Sequence, residues 1–443
     1  MFASMRRGSP AAAVLAPALA LGWAMWACAP ASTAPPAGPP APAPVAPTAP
    51  ESPRLAAPSG PDPCLVRSAG PLGADTIRVI AGSAFAPRQL YQTLIRLDCS
   101  GIPRPDLAQS WASSDGGRTW GFRLASGHFW DNVPLTGETI AQGWAQDSIA
   151  SRLLREAGII FVTPGSDADL RILLARPQDS VPLVLADPRL AIVRRSADSA
   201  WPVGTGPYRL PETDPAPATL EPVGVGAPIR LLRPPADLRD AVDAGADLIV
   251  TDDPGAVGYA SGRPDFTVLA LPWGRAYVLV LSTPPASTAS LETAEFRESL
   301  ARDAVRVDAR GSPPPAPGAG CEPRSATSSA SRTPPAGTRI AYSGADPIAR
   351  DLAARLAALG VGGTRSIVPM DGAELLTSMR KGTEAAYVLA RPRVAMACDD
   401  LVLSPGAILL PLVDTRAHAL LRKGAPAMTA DWDGTPRLVP ETR

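Results

Sequence analysis

The sequence is poor in the residues that build metal centres, because it contains only two histidines in 443 residues. They are His128 and His418, which belong to different segments, and no two cysteines have the Cys-x-x-Cys spacing. Zinc sites are built from cysteine and histidine at close spacing, and nickel favours imidazole. We therefore predict no metal site and no bound cofactor, and a nickel-specific role is disfavoured.

The sequence also lacks familiar catalytic motifs and an excess of charge of one sign. No Gly-x-Ser-x-Gly elbow, His-Glu-x-x-His, P-loop or dinucleotide-binding glycine pattern is present. Asp252 and Asp253 precede Pro254 after a predicted strand, a place that suits functional carboxylates but also a turn. Lys+Arg and Asp+Glu both total 42, which argues against nucleic acid as a partner. We predict a protein that is not an enzyme.

The first 28 residues have the layout of an export signal. Arg6 and Arg7 supply the positive charge, residues 11–26 are mostly apolar, and Cys28 follows a small residue, as at a lipoprotein cleavage site. The apolar stretch is short and rich in Ala and Pro for a membrane span of about 20 residues. We predict export and lipid attachment at Cys28; plain secretion and an uncleaved anchor are the alternatives.

A linker and a large body follow this signal. Residues 29–63 are dominated by Pro and Ala, carry few charges and have no apolar periodicity, so they predict a disordered, semi-rigid spacer. The rest is long enough for two or three domains. It contains four further cysteines, for which disulfides are the default in an oxidising compartment: Cys64, Cys99, Cys321 and Cys398.

The pattern of the body is typical of α/β domains. Between Thr338 and Leu389, three short apolar runs alternate with two amphipathic stretches that end at glycine, which predicts a βαβαβ unit with parallel strands. A similar helix and strand occupy residues 236–250, and Thr76–Ala81 suits an early strand. A predicted hairpin turns at residues 113–117. We expect the aromatic residues around it to form the core of a small subdomain: Trp111, Trp120, Phe122, Phe129 and Trp130.

Four phrases, in this order, resemble the extracellular solute-binding proteins of family 5, the peptide, nickel and oligosaccharide class. The first is Arg104–Trp111 (RPDLAQSW) with Thr119–Leu124 (TWGFRL), and the second is Val203–Tyr208 (VGTGPY). The third is the helical phrase Phe296–Ala304, and the fourth is the closing segment Ile408–Gly424. The chain looks like a shortened member of this family.

The resemblance implies an α/β fold of two lobes, the type II periplasmic-binding-protein-like fold, with an inserted subdomain in the first lobe and a ligand cleft where the chain crosses. It implies a first lobe at 74–101 and 201–270 with the insertion at 102–200, a second lobe at 271–407, and a return to the first lobe at 408–443.

The implied function is that of a substrate-binding protein of an ATP-binding-cassette importer. A monomer, held at the membrane by its lipid, would capture a short peptide or other small solute in the periplasm or at the cell surface and deliver it to the permease. The alternative is a structural or sensory surface lipoprotein that keeps the fold without transport.

Candidate ligand-binding residues follow from the expected crossing and cleft. Trp273 and Tyr277 are aromatic side chains that could stack on a ligand, with packing between the lobes as the alternative. Arg275 could face a ligand carboxylate, with a solvated arginine as the alternative. Asp399 and Asp400 are candidates for the amino group of a peptide, although acidic pairs are also common in turns.

The domain organisation selects one of the three possible pairings of the four cysteines. Cys64 and Cys99 flank the first strand of the first lobe, whereas Cys321 and Cys398 bracket the βαβαβ unit of the second. A crossed pairing would tie the lobes together and oppose hinge motion. We therefore predict the bridges Cys64–Cys99 and Cys321–Cys398.

Overall fold

A computed structural model describes residues 62–67, 75–165, 169–195, 201–211, 218–283, 288–313, 324–325, 338–392 and 402–439. The chain divides into residues 1–51 and 52–443, and everything described below belongs to the second of these units. Within the described ranges, no helix is long and apolar enough to cross a bilayer. The predicted signal peptide, Cys28 and most of the predicted linker lie outside these ranges.

The secondary structure alternates between strands and short helices. In chain order the strands are β1 Ile77–Ile80, β2 Ile95–Leu97, β3 Pro103–Pro105, β4 Ala108–Ser114, β5 Thr119–Leu124, β6 Ile159–Pro164, β7 Asp169–Leu174, β8 Tyr208–Arg209, β9 Thr219–Pro222, β10 Ile229–Leu231, β11 Leu248–Thr251, β12 Phe266–Ala270, β13 Arg275–Leu281, β14 Ala309–Gly311, β15 Arg324–Ser325, β16 Arg339–Ser343, β17 Ser366–Met370, β18 Ala386–Pro392, β19 Val402–Leu403, β20 Ile408–Thr415, β21 His418–Arg422, β22 Met428–Ala430 and β23 Pro436–Leu438. The α-helices are α1 Phe85–Leu90, α2 Gly137–Gln146, α3 Ser148–Glu156, α4 Val181–Val184, α5 Leu238–Asp243, α6 Pro254–Ser261, α7 Ala294–Ala304, α8 Pro347–Ala358 and α9 Gly372–Lys381.

The first lobe is built on a sheet in the order β12-β21-β11-β1-β10-β9-β8. Its centre, β10-β1-β11, is parallel, and β21 runs antiparallel between β11 and β12. Because side chains alternate along a strand, Leu248 and Ile249 enter cores on opposite faces. Asp253 caps α6 by accepting from the Gly255 N–H at 2.8 Å, so this member of the Asp-Asp-Pro sequence begins a helix.

A separate sheet, β4-β5-β7-β6, lies within residues 102–200 and packs against α2 and α3. The predicted hairpin is present as β4 and β5, and its turn contains Asp115 and Gly116 with positive φ angles of 54° and 65°. The predicted aromatic cluster forms the core here. Trp120 and Phe122 are completely or almost completely buried. Trp130, half-buried, also packs against the core of the first lobe.

The second lobe is built on a sheet in the order β14-β20-β13-β18-β16-β17. Strands β17, β16 and β18 are parallel, which confirms the predicted βαβαβ unit. The central strand β13 is buried on both faces: Leu279 packs in the core that includes α7 and α8, and Val280 in the core that includes α9. Asp346 and Asp371 cap α8 and α9, while Gly382 ends α9 in the left-handed conformation, with φ of 65°.

The chain passes between the two sheets at two neighbouring places. Residues 271–274 lead from β12 to β13, and residues 416–417 lead back from β20 to β21. The two crossings are joined by a hydrogen bond from the Leu271 N–H to the Ala417 carbonyl at 3.0 Å. The predicted return to the first lobe at residue 408 is wrong, because β20 pairs with β13 and β14 in the second sheet. Its apolar sequence fits a central strand of either lobe, and only the pairing decides.

Cys64 and Cys99 are joined by a disulfide, with their Cα atoms 5.8 Å apart. This bridge fixes the segment 62–67 to the turn after β2. The same segment is also held by backbone hydrogen bonds in an isolated β-bridge between Val66 and Met428, and by a salt bridge between Asp62 and Arg96 at 2.5 Å. Cys321 and Cys398 lie outside the described residues, so the second bridge stays a prediction.

Candidate functional site

A cavity of about 520 Å³ lies between segments of the two lobes. A volume of about 300 to 1,000 Å³ is usual for sites that bind small molecules. Its walls come from the α1 region, the 3-10 helix Pro188–Leu190 of the insertion, the turn between β22 and β23, and the α9 and β18 side of the second lobe. The lining residues are Ala84, Pro87, Arg88, Tyr91, Thr93, Asp187, Pro188, Arg189, Ala191, Leu376, Leu389, Ala390, Arg391, Pro392 and Asp433.

Local packing explains why the first lobe presents these side chains. Phe85 and Leu90 of α1 are buried in the lobe's core, which leaves Pro87 at the wall. Tyr91 stacks on Trp130 at a ring-centre distance of 5.8 Å, and its hydroxyl donates to the Pro202 carbonyl at 3.3 Å. The first-lobe wall is therefore held in place before any ligand arrives.

The second-lobe wall of the cavity is formed by α9 and by the C-terminal end of β18. Leu375 and Met379 of α9 are buried against the sheet, four residues apart, and Leu376 lies beside them with 39% of its surface exposed. Leu389 belongs to the same core, and alternation along β18 places Arg391 on the face of Leu389. This wall is apolar except for one guanidinium.

The charged groups of the first-lobe wall are paired. The Arg88 guanidinium bonds to the Asp433 carboxylate and lies 3.6 Å from Asp431. Arg189 contacts Asp187 through two nitrogens, at 3.0 and 2.8 Å. Pairs with two parallel hydrogen bonds fix the geometry of both partners.

A buried ionic network supports this wall from behind. Arg437 contacts Asp431 at 2.7 Å and Asp106 at 3.4 Å, and Asp106 accepts from the Thr93 backbone N–H at 3.1 Å. Burial would lower the pKa of Arg437, but the attraction of Asp431 and Asp106 outweighs it and raises that pKa, so the guanidinium stays charged. The network connects the β22–β23 hairpin to Thr93, just before β2, and to Asp106, just after β3.

Trp273, predicted to stack on a ligand, instead lies in the first crossing, between two arginines. The guanidinium carbons of Arg310 and Arg416 are each 4.5 Å from the centre of its ring. Asp414 pairs with Arg310 at 3.2 Å and Asp308 pairs with Arg416 at 2.6 Å, so both cations are oriented. Trp273 is not among the lining residues, and its position is that of a packing residue between the crossings.

Tyr277 is not a cleft residue either. It is fully buried in the core of the second lobe, and its hydroxyl donates to the Asp346 carboxylate at 3.2 Å. Burial and the negative charge of Asp346 raise the pKa of Tyr277 above its usual 10.0, against the opposing effect of Arg275. The assignment to ligand contact is therefore corrected: alternation along β13 turns Tyr277 toward α8, whose first turn Asp346 caps.

The remaining predicted contacts are divided between the surface and the undescribed part of the chain. Arg275 is exposed and its side chain hydrogen-bonds to Tyr277. It lies opposite Pro392 on the neighbouring strand β18. Pro392 lines the cavity, whereas Arg275 is not among the lining residues. Asp399 and Asp400 lie outside the described residues. Within the described chain, no group of three or more His, Cys, Asp or Glu residues could hold a metal ion.

The sequence reasoning missed the cleft residues Leu376, Arg391 and Arg88. One signal was present for Leu376: it is an apolar residue of an amphipathic helix, adjacent to the buried positions Leu375 and Met379 but outside their stripe. For Arg391 and Arg88 no local signal exists, since arginine at a strand end or in a short helix is ordinary.

Comparison with known proteins establishes the fold class. No protein-family model matches the chain, and no curated protein matches it. Among solved structures it is similar to the PBP AgaA from A. tumefaciens R10 in complex with agropinic acid, at 12% identity and TM-score 0.58, over 83% of this chain and 99% of that one. NikA from Brucella suis in complex with Fe(III)-EDTA matches at 18% identity and TM-score 0.58, over 84% and 98%.

The Escherichia coli murein tripeptide binding protein MppA matches at 12% identity and TM-score 0.57, covering 83% of this chain and 99% of that one. At these identities the likeness concerns the fold. The chain has the two-lobed fold of type II periplasmic binding proteins, as the sequence resemblance implied.

Proposed function

We propose that this protein is a substrate-binding protein of an ATP-driven importer, and that it captures a small solute in the cleft between its lobes. The observation that carries the proposal is the cavity of about 520 Å³, whose walls come from both lobes. Among the similar structures are a complex with agropinic acid, a complex with Fe(III)-EDTA and a murein tripeptide binding protein, which supports a binding role rather than a chemical one.

The capture step follows from the two crossings. Motion about a few residues between domains opens and closes a cleft, and a ligand that contacts both walls stabilises the closed state. The crossings at 271–274 and 416–417 lie side by side, so rotation there moves one sheet relative to the other. Closure would bring Leu376 and Arg391 of the second lobe toward the Pro87 and Pro188 side of the cavity.

The proposal includes export and a lipid anchor at Cys28. Its support is the order of segments in the sequence: a signal, a Pro/Ala-rich spacer and then a globular body whose segment at 62–67 is attached by the Cys64–Cys99 bridge. A Pro-rich spacer extends by about 3.1 Å per residue, which would let the body move away from the membrane surface. The permease of the importer would receive the solute.

A thermal-shift screen of the purified chain tests solute binding. A ligand that binds only the native state stabilises it, by about 2.7 kcal/mol at a hundredfold excess over Kd. A library of short peptides, sugars, amino acids and organic acids should contain compounds that raise the Tm. Leu376→Gln should reduce the affinity for them, because it removes apolar contact from the cleft wall.

Leu359→Gln is the matched control, since Leu359 is an exposed leucine at the end of α8, 48% accessible, and does not line the cavity. We expect this variant to bind like the wild type. Equal losses in both variants, or no shift with any compound, would count against solute capture in the cleft and favour a surface protein that keeps the fold without transport.

A further inference from the structure

Both carboxylates of the cavity are already engaged. Asp187 accepts through Oδ1 from the Arg189 backbone N–H at 2.9 Å and from Arg189 Nε at 3.0 Å, and through Oδ2 from Arg189 Nη2 at 2.8 Å. Asp433 accepts through Oδ2 from Arg88 and through Oδ1 from the Thr435 backbone N–H at 3.0 Å. An ammonium group entering the cleft would have to displace an arginine or share its carboxylate.

The second lobe supplies one charge to the cavity, and that charge is positive. Arg391 is the charged member of a wall otherwise formed by Leu376, Leu389, Ala390 and Pro392. The described lining has three arginines and two aspartates, and both aspartates are engaged by the arginines of the first lobe. The third guanidinium belongs to the wall that would move during closure.

We propose that the solute of this cleft is a small organic anion, with a carboxylate or similar group near Arg391 and an apolar body against Leu376, Pro87 and Pro188. The inference rests on the proposed function and specifies its substrate class. A guanidinium has five N–H donors, so Arg391 can bond to the rest of the chain and to a ligand at the same time. An anion beside Arg391 that also reaches the arginines of the first lobe would be attracted by both walls and would favour closure.

The test compares four probes that share one six-carbon tail: hexanoate, hexyl phosphate, hexanamide and hexylammonium. Isothermal titration of the full chain should show binding of hexanoate or hexyl phosphate, and at least tenfold weaker binding of the amide and the ammonium. The two anions distinguish a carboxylate site from a phosphate site. Added salt should weaken the anion's affinity only partly, because a partly buried pair is screened less than an exposed one.

Arg391→Gln should lower the affinity for the bound anion by about tenfold or more, the size of effect expected when a charge-assisted hydrogen bond is lost. Arg391→Lys should retain part of it. Arg365→Gln is the control: Arg365 is exposed and lies just before the start of β17, whereas Arg391 lies near the end of the parallel strand β18, so the two lie at opposite ends of the strands.

The outcomes separate this inference from the proposed function. If the amide or the ammonium binds as well as the anions, or if peptides and neutral sugars bind while organic acids do not, the substrate class is wrong and solute capture stands. If Arg391→Gln and Arg365→Gln weaken anion binding equally, the role of Arg391 is overturned. If nothing in the probe set or the wider library binds, both proposals fail.

Discussion

Arg416 covers one face of Trp273, with its guanidinium carbon 4.5 Å from the ring centre. Trp273 lies in the crossing that leads into the second lobe, and Arg416 lies in the crossing that leads back to the first. Arg310 of β14 covers the ring at the same distance. Since a cation over an indole contributes about 0.5 to 1 kcal/mol at an exposed site and more where water is excluded, this stack stabilises the region about which the lobes would rotate.

We predict that Trp273→Ala lowers the free energy of unfolding by about 1 to 3 kcal/mol, because it removes a half-buried ring and two cation–π contacts. Trp273→Phe, which keeps an aromatic face, should lose less. Urea denaturation of both variants measures the difference. Because Trp273 does not line the cavity, its replacement should weaken ligand binding less than Leu376→Gln does. If Trp273→Ala weakens binding more, Trp273 contacts the ligand after all.

We predict that stability depends on pH through His418, which lies directly after the crossing at residues 416–417. Its Nε2 lies 3.6 Å from Asp308 Oδ2, and Arg416 is its cationic neighbour. Burial lowers the pKa of His418 below 6.5, Asp308 raises it and Arg416 lowers it, and the net direction is down. The unfolded chain therefore binds a proton more readily, so this contribution to stability is present above about pH 6.5 and is lost as the pH falls through the folded pKa.

Denaturant titrations between pH 7.5 and about pH 5 measure this loss. His418→Gln should make the free energy of unfolding less dependent on pH in that window. A wild-type stability that rises as the pH falls from 7.5 to 6 would contradict the assignment.

The Cys64–Cys99 bridge closes a loop with a sequence separation of 35 residues. Replacing both cysteines by serine should lower the free energy of unfolding by about 2 to 4 kcal/mol, mainly because the unfolded chain gains freedom. Peptide mapping without reduction should recover Cys64 linked to Cys99, and the same digest tests the predicted Cys321–Cys398 link. Recovery of Cys64 linked to Cys321 or Cys398 would contradict the domain-wise pairing.

Lipid attachment is tested at Cys28. Expressed in a bacterium that processes lipoproteins, the wild-type chain should fractionate with membranes, and Cys28→Ser should move to the soluble exported fraction. Mass spectrometry of the mature N-terminus then shows whether Cys28 carries acyl chains. A wild-type protein found wholly in the soluble exported fraction would indicate plain secretion.

Much of the fold could be predicted because its signals are local. Asp346 and Asp371 before apolar repeats and Gly360 and Gly382 after them identify two helices of the second lobe, and the structure has both. The end of the second lobe was misplaced, because β20 carries the same kind of apolar sequence as a strand of either sheet, and strand order is a tertiary property.

The site was much less predictable. The sequence indicated a crossing near Trp273, and residues 271–274 lead from one sheet to the other, but it carried no information on the direction of the side chains. The alternation of side chains along β13 points Tyr277 into the core of the second lobe. Arg310 and Arg416 pack against the ring of Trp273. The cavity instead collects residues from segments as distant as Arg88, Arg189 and Arg391, which only the folded chain brings together.

The central claim is that a solute occupies the cleft between the lobes, and titration calorimetry of a cleft-filling variant tests it most directly. Ala84 is an exposed alanine in the first-lobe wall of the cavity, so Ala84→Trp should fill the space with little effect on the core, while Ala358→Trp places the same bulk at an exposed position at the end of α8. With a ligand of the wild-type protein, we predict at least a tenfold loss of affinity for Ala84→Trp and none for Ala358→Trp. Unchanged binding by a folded Ala84→Trp would contradict the claim.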